Sequence, residues 1–559
     1  MAAEQPIDVM NTVRFSMSLI YRQLRYWLDC LLLKWVPSSL PTMQLGPDGS
    51  SQNPTMVQFF TWDARHPDMS WWKHLATEAP HLAALGFTQI WLPPPNKAME
   101  QTGRGYDAYD LWDLGEFDQK GSVSTRWGTK EDLLRACDAA RQCDMNVIID
   151  AVLNHKLGAD RVEAFRAVRV DPLNRLRDIE NERPVKGWTA FDFPGRIGKV
   201  IQFIVISSAG DQHICQYSSM RWNFNHFTGL DWDELAQANG VFRISSERHK
   251  GWSRWVDTEN GNYDYLLGID IDHRHPEVRD DLFSWGSWIL DTTGACGFRL
   301  DAIKHMDRKF LFEFIKRTRD HPDRKRLFAV SEYWSANESS LQLIIPYIRA
   351  FHGQTSFFDV PLHENFHRAS KAGASYDLRT IFKGSLVKLR PGDAVTFVDN
   401  HDTQVGQSLE SWVDTNFKAQ AYALILLRCY GYPCVFYGDL YPNNECFDEG
   451  TSRTLKQLLL ARKLFAYGPM VDYFEHRNCI GFVRMGDSNH AGCVVVLSND
   501  PLLDPATSKV RMNVGPCQGA TFHSLFDSTR TVAVDHDGWG VFPSSADCVE
   551  VWIKSEGRQ

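Results

Sequence analysis

No long run of basic residues occurs in this sequence. Its 60 lysines and arginines stand against 69 acids, a net charge of −9, which argues against a nucleic-acid partner. Metal-ligand cysteine spacing is also missing. The 12 cysteines are scattered, Cys137 and Cys143 are too far apart for a CxxC pair, and Cys429 and Cys434 lie in an apolar stretch. No disulfide framework can be read, so free thiols in a reducing compartment are expected. The opening MAAEQPIDVMNTV has acids before any apolar run and no basic start, unlike a secretory signal, so a cytoplasmic location is expected. The stretch after it, RFSMSLIYRQLRYWLDCLLLKWVP, carries Arg22, Arg25 and Asp29 on one helical face, too charged to make a good membrane span. A helix packed on the main body is the leading expectation for it. Contact with a membrane surface or a partner is the lesser one.

What the chain does have is length and aromatic residues. Its 559 residues are too many for one small core, and 12% are aromatic, including 19 tryptophans. Most of these suit barrel packing, and a minority suit stacking on sugar rings. Apolar strands and amphipathic helices alternate: MVQFFTW, a helix over 71–84, FTQIWLPPP, a helix over 130–143, MNVIIDAV, then GACGFRLDA, a helix over 309–318, RLFAVSEYW, DAVTFVDNHD and GYPCVFYG. This beat predicts an α/β fold, a (β/α)₈ TIM barrel with its site at the carboxyl ends of the strands. Residues 1–50 read as an N-terminal amphipathic helical extension and linker, and 51–154 as the first part of the barrel. Residues 155–265 break the beat as an inserted β-rich subdomain, and 266–458 complete the barrel. From 459 to 559 the period changes to two, predicting a C-terminal antiparallel β-sandwich.

The stretch GFRLDAIKH, residues 297–305, alternates apolar and charged side chains, which is odd for a barrel strand unless one side carries chemistry. Three more strands end likewise in polar groups after an apolar run. They are NVIIDAVLNH with Asp150, Asn154 and His155, LFAVSEYW with Glu332, and VTFVDNHD with His401 and Asp402. A closed barrel would bring Asp301, Glu332 and Asp402 into one pocket, where like charges push their pKa values apart. That division suits glycoside cleavage, which needs an anion beside the anomeric carbon and an acid beside the leaving oxygen. Arg299, two residues before Asp301 on the same strand face, would keep Asp301 ionised. Asp301 is therefore the better nucleophile, Glu332 the better acid/base, and Asp402 a third group binding hydroxyls of a distorted ring.

With these residues in place, the chain resembles the α-amylase family of glycoside hydrolases, particularly its liquefying bacterial and intracellular fungal members. DAVLNH, GFRLDAIKH, SEYW and FVDNHD resemble the family's four strand-end blocks, and GRGYDAYDLWDLGEF, FDFPGR, LDWDE and ENGNYDYLLGIDIDHRHPEV resemble its loops. The resemblance covers roughly residues 55 to 555. It implies a retaining double displacement on α-1,4-glucan, with Arg299, His155 and His401 around the sugar, Tyr106 stacked on the ring, and Lys304 and His305 on the leaving-group side. It also implies one structural Ca²⁺ held by Asn154, Asp264, Asp270 and the backbone carbonyl of His305, hard oxygen donors of the kind calcium takes. Arg274 and Ser253 stand where some relatives have acids, leaving Asp231 and Asp272, so a second metal site is not expected. Leu267 stands where those relatives often carry an oxidisable methionine. The expected partner is an α-glucan oligosaccharide or polysaccharide, and a monomer is expected. A 4-α-glucanotransferase acting on short α-glucans, including cell-wall primers, and a non-catalytic glucan-binding protein are the alternatives.

Overall fold

The computed structural model describes residues 28–47, 53–197, 204–206, 212–214, 217–246, 248, 251–335, 340–502, 508–515, 519–544 and 548–555. Eight parallel strands close into a barrel: β1 (Met56–Gln58), β2 (Gln89–Trp91), β3 (Asn146–Ala151), β4 (Gly297–Leu300), β5 (Phe328–Ser331), β6 (Ser356–Phe358), β7 (Ala394–Phe397) and β8 (Tyr432–Phe436). Each pairs with its sequence neighbour, and β8 closes on β1 through Met56 opposite Cys434. The expected TIM barrel is thus present. Seven of its strands carry the apolar runs read in the sequence. The sixth, only three residues of SFF, is too short to show a period.

Helices between the strands bury the apolar faces that their spacing prescribes. Trp71–Ala84 starts on the Ser70 side chain, which accepts from the Lys73 N–H, and it buries Trp71, Trp72, Leu75, Ala79 and Leu82. Lys130–Gln142 starts on Thr129 in the same way. Arg308–Arg319, after β4, is capped by Asp307, whose carboxylate accepts from the N–H groups of Lys309 and Phe310.

Between β3 and β4 a seven-stranded antiparallel sheet projects from the barrel. It runs from His155–Lys156 to Ile269–Ile271, which pair with each other at its edge, so the sheet continues past residue 265 into the return to the barrel. At the C-terminal end a six-stranded antiparallel sheet, which includes Cys479–Arg484, Cys493–Ser498 and Val549–Lys554, faces a ribbon of Lys509–Asn513 and Trp539–Pro543. Val494, Val496, Met512, Phe542 and Trp552 form a core between these layers.

Of the N-terminal stretch, residues 1–27 lie outside the described residues, and with them Arg22 and Arg25. Residues 28–33 are helical and lie on the barrel. Asp29 pairs with Arg349, Leu33 is buried, and Arg390 donates to the carbonyls of Leu33 and Val36 at 2.9 and 3.0 Å. Among the described residues no helix is long and apolar enough to cross a membrane.

Candidate active site

Strand β4 and the residue after it deliver Arg299 and Asp301 to the mouth of the barrel because the residues alternating with them, Phe298 and Leu300, point into apolar packing and are fully buried. The chain then turns sharply. Ala302 adopts a left-handed conformation with φ 47°, a strained position for a residue with a Cβ. The turn aims the Ala302 N–H at Glu332 Oε2, at 3.0 Å.

Arg299 is the hub. One terminal nitrogen, Nη1, donates to Asp150 Oδ1 at 2.8 Å and pairs with Asp301, while Nη2 lies 3.0 Å from Glu332 Oε2. A single guanidinium therefore spans the acids at the ends of β3, β4 and β5. Asp150 also accepts from the Tyr106 hydroxyl at 2.7 Å and Trp91 Nε1 at 3.0 Å. Asp402 joins from the β7 loop, its N–H donating to Asn400 Oδ1 at 2.9 Å and its carboxylate 3.3 Å from His401 Nε2. Gln58 donates its amide to His401 Nδ1 at 3.0 Å, which leaves the imidazole proton on Nε2, facing Asp402.

Burial sets the electrostatics. It pushes the Glu332 carboxyl above the ordinary glutamate range, with Arg299 pulling against it and Asp301 adding to it. Asp402 is driven well above its ordinary value by burial and then by the charge of Glu332. Asp150 is raised to about 7 by burial, although Arg299 opposes the shift. Desolvation lowers His155 to about 4 and His305 to about 3, and takes His401 well below the imidazole range, so all three are neutral at pH 7.

Asp301, Glu332, Asp402, Tyr106, His155, Lys304, His305 and His401 all line one open cleft of about 520 Å³. Tyr106 and His401 stack at 5.0 Å with their planes 7° apart, and Trp62 stacks on Tyr106 at 5.9 Å, which makes an aromatic wall. His155 Nε2 donates to the Tyr106 carbonyl at 2.8 Å. Across the cleft, Lys304 pairs with Glu259 and donates to the Trp334 carbonyl at 3.3 Å, and His305 Nδ1 donates to the Tyr263 carbonyl at 2.8 Å. Leu267 is at the rim. Sequence reasoning does not reach Asp150 as a site member, nor Trp62, Glu259, Tyr263 and Trp334 at all. Asp150 has a signal, being an acid at a strand end, but its partner lies 149 residues away. The others stand on loops, where no period marks a side chain's direction.

The proposed calcium donors lie where the subdomain returns to the barrel. Asn154 Oδ1 is buried with no hydrogen-bond partner, and Asn154 Nδ2 approaches Asp270 Oδ1 at 3.4 Å. Asp264 is raised to about 7 by burial, and Asp270 well above its usual value by burial and the charge of Asp264. An orphaned amide oxygen beside two buried, mutually repelling carboxylates fits a hard divalent cation. The neighbouring acids are differently placed. Arg274 grips Asp272 through Nε at 2.7 Å and Nη2 at 3.1 Å, Ser253 Oγ donates to Asp307 at 2.8 Å, and Asp231 accepts from the Gly268 N–H at 3.1 Å. A second cluster, His226, His275 and Glu277, brings its ligand atoms within 4.8 Å of one another. His226 Nδ1 already accepts the Asn223 N–H at 3.0 Å, so its Nε2 proton faces Glu277 and a metal there would have to displace it.

The family description "Alpha amylase, catalytic domain" matches residues 72–202. An "Alpha-amylase" of Geobacillus stearothermophilus is 42% identical over 516 residues, covering 92% of this chain and 89% of the relative. The "Cytoplasmic alpha-amylase" of Escherichia coli (strain K12) is 39% identical over 518 residues, covering 90% and 99%. Among solved structures, the alpha-amylase from Geobacillus thermoleovorans, complexed with acarbose, superposes with a TM-score of 0.58 at 18% identity, covering 93% of this chain and 100% of that one, a likeness of fold. Identity of this degree over nearly the whole length, on a closed barrel with carboxylates gathered at its strand ends, places the chain in the α-amylase family of glycoside hydrolases.

Proposed function

We propose that this chain cleaves internal α-1,4-glucosidic bonds of starch- or glycogen-type glucans with retention of configuration. The observation that carries the proposal is Arg299, whose two terminal nitrogens hold Asp301 and Glu332 on the wall of one cleft. In the first step an Asp301 oxygen attacks the anomeric carbon. The bond to the leaving oxygen breaks, and Glu332, whose protonated form burial favours, gives its proton to that oxygen. In the second step Glu332 takes a proton from water, the water oxygen bonds to the anomeric carbon, and Asp301 is released. Asp402 holds ring hydroxyls as positive charge develops. The aromatic wall of Tyr106 and His401 stacks on the same ring, with Arg299 and His155 behind it. Lys304 and His305 bind the leaving side.

Asn154, Asp264, Asp270 and the His305 carbonyl would hold Ca²⁺, which supplies charge neutralisation to the joint between subdomain and barrel and takes no part in bond cleavage. The chain works as a cytoplasmic monomer in this reading. The described cysteines, none of them in a disulfide, and the cytoplasmic relative of Escherichia coli support the location, and cell fractionation tests it.

The test is hydrolysis of soluble starch and of a defined maltooligosaccharide, followed by NMR of the newly formed anomer. The α-anomer is expected first, with Asp301→Asn and Glu332→Gln each losing several orders of magnitude in kcat. The β-anomer, or full activity in either variant, would overturn the assignment. Products longer than the substrate would instead identify the transferase.

A further inference from the structure

Away from the cleft, two concave surfaces of about 640 and 540 Å³ share Trp255 and Lys309. They form one groove over the helix Arg308–Arg319 and the end of the subdomain. Trp255 is 48% exposed, and Lys309 Nζ sits 4.1 Å from its ring centroid. The tryptophan is fixed to the helix, because its carbonyl accepts from the Arg308 N–H at 3.0 Å and from Arg308 Nε at 3.1 Å. The groove is rich in cations. Of its acids, Glu313 is taken by Arg279 and Arg317, and Asp307 is buried as the helix cap, leaving Asp320 at the far end. Arg248, Arg254, Lys309 and Lys316 have no acid partner among the described residues. On a chain of net charge −9, such local positive charge is not a consequence of composition.

We propose that this groove is a second binding site, selective for a sugar that carries a phosphomonoester. An indole exposed at the join of two concave surfaces offers a platform for the apolar face of a pyranose ring. Arginines and lysines around it bind phosphate oxygens by charge-assisted hydrogen bonds. A neutral glucan would use the platform alone, and inorganic phosphate the cations alone. The groove shares none of the carboxylates of the cleft, so binding there is measured whether or not the hydrolase reading holds.

The experiment is calorimetric titration of the full chain with glucose 6-phosphate, glucose, inorganic phosphate, a phosphorylated glucan and the same glucan after phosphatase treatment. Glucose 6-phosphate is expected to bind more tightly than glucose or phosphate. Lys309→Ala/Lys316→Ala and, separately, Trp255→Ala should each weaken it by about tenfold. Their kcat and KM on an unphosphorylated maltooligosaccharide should match the parent, which also reports intact folding. Equal affinity for glucose 6-phosphate and the phosphorylated glucan would identify a free sugar phosphate as the ligand, and tighter binding of the polymer would identify glucan-borne phosphate. The proposal is overturned if no phosphorylated probe binds, if inorganic phosphate binds as well as the sugar phosphates, or if both variants bind as the parent does.

Discussion

Arg299 carries one positive charge among three carboxylates, and its planar fork is what lets it serve them all. Nη1 reaches Asp150 and Asp301, and Nη2 reaches Glu332. Lysine would bring the same charge on a single nitrogen at the end of a flexible stem. Arg299→Lys should therefore lower kcat by at least about a hundredfold on any substrate, since it releases the relative placement of nucleophile and acid. Steady-state kinetics check this, and a variant within a few-fold of the parent would remove Arg299 from the hub. Asp150 has a different part. It is fully buried and ties Tyr106 and Trp91 to the guanidinium. Asp150→Asn keeps the shape but turns an NH2 group toward donors on one side, Arg299 or else Tyr106 and Trp91, and should cost about 1–3 kcal/mol of stability, read by denaturant unfolding.

Elements aim these residues, and one loop does three jobs. Residues 253–264 leave the subdomain with Trp255 on the outer groove, then present Glu259 and Tyr263 to the cleft and Asp264 to the proposed calcium site. Chelation should lower the melting temperature, and Ca²⁺ at about 100 times its Kd should restore about 2.7 kcal/mol. Asn154→Ala should abolish that response, and an unchanged melting temperature with chelator would remove calcium from the joint. A second element supplies a pH dependence. On the helix Val360–Ala372, His363 is buried, bonded to the Val398 carbonyl at 2.6 Å and Ser411 Oγ at 2.8 Å, and burial lowers it to about 4. The unfolded chain binds this proton at about 6.5, so between pH 6.5 and 4 it holds more protons than the folded chain. Stability contributed by neutral His363 is complete above that window and is lost as pH falls through it, by about 3 kcal/mol. His363→Gln should flatten the acid loss, measured by unfolding at pH 7 and pH 4. The barrel beat was legible because short apolar runs recur between helices and four of them end at carboxylates, and the helices because their apolar spacing is regular. Strand β6 has no room for a period. Trp62 and Glu259 are positioned by contacts with remote residues, Gln404 and Lys304, that no local pattern announces.

For the whole molecule, the question is how three bodies share one stability. The C-terminal sandwich has its own core but also clasps the barrel: Gln420 donates to the Ser498 carbonyl at 3.0 Å, and Arg484 to the Leu427 carbonyl at 2.9 Å. The segment before β1 is tied on the opposite principle, having no core of its own. Leu33, Leu40 and Met43 are buried in the barrel's cluster, and the Ser39 N–H donates to Asp393 at 2.7 Å. Its outer side is apolar as well, with Trp35 83% exposed and Leu28 and Leu31 more than half so. Two truncations separate the inner contacts from the outer face. Removing residues 1–27 keeps the contacts of Leu33, Ser39, Leu40 and Met43 and provides the reference for the longer truncation. Removing residues 1–44 strips three buried apolar side chains from the barrel and leaves Asp393 and Arg390 without these partners. At roughly 1.5–3 kcal/mol for each buried side chain, the second truncation should cost several kcal/mol and lower the melting temperature by several degrees. Activity per folded molecule at low temperature should stay near that of the parent, because no residue of the cleft is touched. If the longer truncation melted no lower than the shorter one, the contacts of Leu33, Ser39, Leu40 and Met43 would not be what holds this segment to the barrel's stability.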